Sequence, residues 1–170
     1  MVRSGVAVML LALVAAGCSD EHNGLKPPPS PPGQPSMTVE ELLASPDSLL
    51  VDGMTLSAEL GLHRDFMLGG PPDGTPLGAG VFLNGSPPGS FPASVTSVYL
   101  WAIRDSSAVW DTTMSFLQID WTRNGAHQYV VGGGPRWDPD ILVDVVIGVR
   151  TSPHNVSFGL FRNVPITWSM

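Results

Sequence analysis

Hydrophobic residues recur at every second position along much of residues 49–168, the period of strands that bury one face and wet the other. Leu56, Ala58, Leu60 and Leu62 alternate with Thr55, Ser57, Glu59 and His63. Val143, Val145, Ile147 and Val149 alternate in the same way with Asp144, Gly148 and Arg150. Shorter runs at 77–83, 95–103, 108–112, 114–121, 127–131, 156–161 and 164–168 complete the pattern. Turn signals separate them: Asp52-Gly53, Arg104-Asp-Ser-Ser107, Asn124-Gly125 and Thr151-Ser-Pro-His-Asn155, with Gly/Pro-rich loops at 68–76, 84–92 and 132–135. The run 95–103 is apolar on both faces, with Val95, Tyr99, Trp101 and Ile103 against Val98, Leu100 and Ala102, which predicts a central strand.

One helix is predicted. Thr38-Val-Glu-Glu41 is a capping box, in which the Thr38 hydroxyl accepts from the Glu41 amide and the Glu41 carboxylate accepts from the Thr38 amide. Met37 and Leu42 are spaced for a hydrophobic staple, and Ser45-Pro46 stops the helix, so it covers about residues 39–44. Short strands at intervals of roughly ten residues predict an all-β domain over residues 37–170. Trp101 and Trp110 flanking a turn, followed by the hairpin 142–161, resemble in pattern an immunoglobulin-like or fibronectin-like antiparallel β-sandwich; a small β-barrel is the alternative. The single cysteine excludes the inter-sheet disulfide of antibody domains.

That cysteine changes the picture at the other end of the chain. Val6–Ala16 is uncharged and apolar, too short for the roughly 20 residues that span a bilayer core as a helix. Together with Arg3 ahead of it, the run fits the hydrophobic region of a signal peptide. It ends in Val14-Ala-Ala-Gly17-Cys18-Ser19, which resembles the lipobox of bacterial lipoproteins, although Ala15 stands where that family most often has Leu or Val. The resemblance implies a signal peptide over residues 1–17 and a Cys18 that carries diacylglycerol and palmitate-type acyl chains. At about 0.8 kcal/mol per buried methylene, two or three such chains anchor a protein to a membrane. Ser19 rather than Asp after the cysteine implies sorting to the outer membrane if the envelope is Gram-negative. An ordinary signal peptide with an incidental cysteine is the alternative. Residues 18–36 then form a lipidated tether, whose Pro27-Pro-Pro-Ser-Pro-Pro-Gly-Gln-Pro35 favours extended polyproline II over helix or sheet.

Composition narrows the partners. Hydrophobic residues make up 43% of the chain and charged residues 14%, enough apolar material for one packed domain. The net charge is −7, and removing residues 1–17 with Arg3 makes it −8. No cluster of Lys and Arg exists, so nucleic acid is excluded as a partner, and anionic headgroups would repel the surface as a whole. The expected partners are a membrane, through the lipid, and an envelope protein.

The candidate chemistry is sparse. His22 falls in the tether; His127 and His154 fall at turns. His63 has Asp65 two residues on, which would share its face if the strand continues, as a general base and its orienting carboxylate must. No Gly-x-Ser-x-Gly elbow is present. Asp138, Asp140 and Asp144 do not follow the calcium-loop pattern, and His63 with Met67, the nearest copper(I) pair, has helical rather than strand spacing. Arg136-Trp137, beside Gly132-Gly-Gly-Pro135, is a candidate interface anchor, against the alternative of a Trp tucked under its own loop. No catalytic residue, metal or cofactor is assigned. The expected function is an envelope-anchored, non-enzymatic binding or structural module. The alternatives are a hydrolase or metal-dependent enzyme with a loop-built site, and a periplasmic metal carrier.

Overall fold

The computed structural model describes residues 33–67, 70–117 and 125–169. A single helix, α1 (Val39–Leu43), precedes β1 (Leu49–Val51), β2 (Met54–Asp65), β3 (Gly78–Gly85), β4 (Ser97–Arg104), β5 (Ala108–Leu117), β6 (His127–Val131), β7 (Leu142–Ser152) and β8 (Asn155–Ser169). The chain is nearly all β, and seven of the strands close into a barrel. The ring runs β2-β3-β6-β5-β4-β7-β8 and returns to β2, with β1 paired on the outer side of β2.

Closure depends on two strands that change partner along their length. β5 pairs with β4 from Ala108 to Met114 and with β6 from Ser115 to Leu117. β8 pairs with β7 from its start, passes an irregularity opposite Val143–Val145, and ends parallel to β2, with Leu62 opposite Ile166 and Asp65 opposite Ser169. Asn163 takes φ 56° at that irregularity, and its amide donates to Asp144 Oδ1 at 3.1 Å. The expected immunoglobulin-like sandwich is therefore replaced by the small barrel. A sandwich keeps two sheets with free edges, whereas strands that pass from one half to the other remove those edges.

The interior is filled by the alternating residues of every strand. Leu56 and Leu62 of β2, Val81 and Leu83 of β3, Val98 and Leu100 of β4, and Val145, Ile147 and Val149 of β7 are all buried in one cluster. β4 is apolar on its outer face too, because α1 lies there. Leu42 joins Tyr99, Trp101, Ile103, Val146 and Leu160 in a second, outer cluster. Gly148 makes that packing possible: a Cβ at this position would stand 2.8 Å from the Trp101 ring. The capping box forms as the sequence predicts, with the Thr38 amide donating to Glu41 Oε2 at 2.8 Å and the Glu41 amide donating to Thr38 Oγ1 at 3.2 Å. The Thr38 amide, and the Thr38 hydroxyl donating to the same Glu41 Oε2 at 3.0 Å, hold the Glu41 carboxyl below its ordinary range.

The chain meets the barrel wall before Met37. The Tyr99 hydroxyl donates to the Gly33 carbonyl at 3.1 Å, and the Arg150 guanidinium lies 5.1 Å from the centre of the Tyr99 ring. This places Gly33 beside the end of β7 and the start of β4. The end of the barrel that holds this contact, the β7–β8 turn and the β1–β2 turn is called the lower end below. The upper end holds the β4–β5 turn and the loops 66–77 and 132–141.

Candidate functional site

Each end of the barrel gathers polar and aromatic side chains, and the two sets do different work. At the upper end the strand β2 continues through Asp65, so His63 and Asp65 share its outer face, as strand geometry requires. Between them stands Ser169, brought there by the parallel pairing of β8 with β2. Its hydroxyl donates to Asp65 Oδ1 at 2.9 Å and lies 3.3 Å from His63 Nε2. The other ring nitrogen, Nδ1, lies 3.3 Å from Thr167 Oγ1, whose own proton goes to the Leu62 carbonyl at 2.8 Å.

Serine, histidine and aspartate thus meet, but in an order unlike that of a nucleophilic triad. In a triad the imidazole sits between hydroxyl and carboxylate and takes the hydroxyl proton. Here the hydroxyl sits in the middle and gives its proton to the carboxylate. Asp65 also accepts from the Met67 amide at 3.1 Å, so the carboxylate organises the turn that follows β2. His63 is exposed on the barrel wall rather than held in a cleft.

Beneath this cluster, on the inner face of β2, Arg64 is 3% exposed. Its Nε donates to the Thr75 carbonyl at 2.9 Å, its Nη1 to the Trp137 carbonyl at 2.8 Å, and its Nη2 to the Asp73 carbonyl. The guanidinium also lies 4.8 Å from the Phe66 ring centre. A buried cation needs such partners, because an unsatisfied charged donor away from water is costly. One arginine thereby ties the two upper loops to a strand. Arg64 stands two residues after Leu62 on the inward face of β2, and that two-residue spacing is the signal in the sequence that it points into the barrel.

The sequence-predicted pair Arg136 and Trp137 lies in the same place. Arg136 is exposed and donates through Nη1 to the Gly74 carbonyl. Trp137 is half-buried against the inner core, with its carbonyl held by Arg64. Trp110 fills the remaining space over Gly134, where a Cβ would stand 2.8 Å from its ring. The acidic residues nearby are dispersed. Asp138 and Asp140 are exposed, and Asp144 faces Asn163 and, at 3.7 Å, Arg162. Among the described residues no group of three His, Cys, Asp or Glu converges on a metal position. Met67 is exposed beyond the end of β2.

At the lower end His127 stacks on Phe91 with ring centres 3.9 Å apart and planes 10° apart. Phe116 packs 5.5 Å from both His127 and Tyr129. Loss of water around it lowers the His127 pKa from its ordinary value, and burial raises that of Tyr129. His154 is exposed in the β7–β8 turn. A shallow groove on the outer wall runs beside α1, lined by Met37, Glu41, Pro46, Leu50, Ser157 and Phe158. Glu41 is its one charged side chain, already bonded to Thr38. Cys18 and His22 lie outside the described residues.

Comparison with known proteins finds no matching family model, no matching curated protein and no matching solved structure.

Proposed function

We propose that this chain is an exported lipoprotein, in which acylated Cys18 holds a non-enzymatic binding or structural barrel at a bacterial envelope, at the outer membrane where there is one. The observation that carries the reading is the order of parts in the sequence: Arg3, the apolar run Val6–Ala16, small residues, then Cys18 followed by a proline-rich stretch. The organisation of the barrel agrees with a module rather than a catalyst. Its lumen is packed with side chains, and its most buried charged group, Arg64, is committed to three carbonyls. Arg136 and Trp137 are the loop residues nearest an envelope partner in this reading. The test is metabolic labelling with radioactive palmitate. The wild-type chain should take up label and fractionate with membranes, and Cys18→Ala should do neither. Unchanged labelling and fractionation of the variant would overturn the reading.

A hydrolase is the second reading, favoured by the meeting of His63, Asp65 and Ser169. It requires the Ser169 proton to move from Asp65 to His63 when substrate binds. A fluorophosphonate probe should then label wild type and not Ser169→Ala; equal absence of label from both removes this reading.

A further inference from the structure

The upper end of the barrel presents an aromatic group held in a fixed position. Trp168 of β8 is 41% exposed, and its ring meets Phe66 edge-on with centres 6.4 Å apart. Phe66 is itself fixed: its amide donates to the Ser169 carbonyl at 2.9 Å, Gly74 lies against its ring, and the Arg64 guanidinium stacks on it. Met67, 59% exposed, continues the apolar surface beside Phe66. The same Arg64 holds the Asp73 and Trp137 carbonyls, so Asp73 and Asp138 stand at set places around these rings. Groups ordered before a partner arrives lose less freedom on binding.

Charge decides what such a surface can take. Arg104 pairs with Asp105, and on the adjoining wall Arg162 pairs with Asp144, so those four cancel. Of the other described groups at this end, Asp65, Asp73, Asp138 and Asp140 stand against Arg64 and Arg136, four carboxylates and two guanidiniums, a net charge of −2. Arg64 is buried, which leaves exposed Arg136 against exposed Asp73, Asp138 and Asp140. Leu68 and Gly69 of the same loop, outside the described residues, add no charge. A second copy of this face would set carboxylates against carboxylates, and anionic headgroups would be repelled. A cationic segment that carries an apolar side chain meets both features. Its lysines or arginines pair with the carboxylates and lie over the indole, the ring that attracts cations best, while its apolar side chain packs on Trp168 and Met67.

We propose that the upper end is a docking surface for a basic segment of another envelope protein, with Trp168 as its anchor and Asp73, Asp138 and Asp140 as its acidic rim. This rests on the binding-module reading above and names the chemistry of the partner. Trp168 rather than Trp137 is the anchor, because Trp137 is half-buried against the inner core. Gly33, where the N-terminal segment reaches the barrel, lies at the opposite end, so a lipid anchor does not compete for this face.

Fluorescence anisotropy tests this on the full chain in phosphatidylcholine nanodiscs, with empty nanodiscs as background. The probes are two labelled peptides of equal length, one with a leucine flanked by lysines and one with a leucine flanked by glutamates. The lysine peptide should bind and the glutamate peptide should not. Trp168→Ala should weaken the lysine peptide at least about tenfold, as loss of a central aromatic anchor does. Met67→Gln, an exposed change that spares the core, should weaken it severalfold, and so should Asp138→Asn. Leu50→Ala and Asp47→Asn, exposed positions away from this end, should leave it unchanged. Absence of lysine-peptide binding, equal binding of both peptides, unchanged binding by Trp168→Ala, or the same loss in Asp47→Asn as in Asp138→Asn overturns the docking surface and leaves the lipoprotein reading standing. Fluorophosphonate labelling of wild type but not of Ser169→Ala in the same samples overturns the non-enzymatic reading instead.

Discussion

At the scale of single residues, buried polar and charged side chains decide how the loops and walls of this molecule hold together. Arg64 occupies an inward position between apolar neighbours, and its value lies in the carbonyls it satisfies. Arg64→Met keeps the volume and removes the donors, leaving the Thr75, Trp137 and Asp73 carbonyls without it. At about 1–3 kcal/mol for a buried group left unpaired, the variant should lose on the order of 3 kcal/mol, read as a lower urea midpoint with an unchanged slope. An unaltered midpoint would mean that water replaces the guanidinium at no cost.

His127 belongs to this scale too. Its pKa is lower in the folded chain than the 6.5 of the free side chain, because desolvation disfavours the cation. Between the folded and unfolded values the unfolded chain binds more protons, so stability rises with pH there. The stabilisation is complete above about pH 7 and falls as the pH drops below 6.5. Thermal unfolding followed between about pH 7.5 and about pH 5.5 should show a falling midpoint in wild type, and His127→Phe should flatten that component while keeping the stack on Phe91.

At the scale of elements, α1 is too short to persist by propensity alone, and its cap and its buried face hold it. Its partner surface on the barrel wall exists because Gly148 leaves room for Trp101, which shares the outer cluster with Leu42. Thr38→Ala removes the cap acceptor and should cost about 1 kcal/mol. Amide exchange of residues 39–44 should accelerate more than that of β4 beneath them. Equal acceleration in both would mean that helix and wall open as one unit.

The strands that change partner are the corners. β5 and β8 each show a break in alternation, near Thr113 and near Arg162-Asn163, and the sequence pattern treats these breaks as the ends of strands. They are instead the places where one strand leaves one neighbour for another. A local change of twist or a bulge disturbs the two-residue period in the same way that a turn does.

At the scale of the whole molecule, closure rests on the four-residue parallel pairing of Leu62–Asp65 with Ile166–Ser169. The seam is reinforced from outside by His63, Thr167 and Ser169 and from inside by the fully buried Ile166. Ile166→Ala should cost about 2–5 kcal/mol, as for other buried aliphatic truncations. Exchange protection should fall first at β2 and β8, where the ring opens. Uniform loss across all strands would show instead that the barrel has no weakest seam.

The amino-acid sequence determined the class of this domain, its helix, its hairpin at Asp52-Gly53 and the inward face of most strands, because these follow from local periodicity and turn chemistry. It also carries the whole of the case for export and acylation, which needs no fold. The tertiary structure decided which strand lies beside which, and therefore barrel over sandwich. It also decided that Ser169 lies between His63 and Asp65, and that Gly33 leaves from the end that presents Phe116. Contacts between residues as far apart as Asp65 and Ser169 depend on how the sheet closes, and no local pattern of polar and apolar positions encodes that closure.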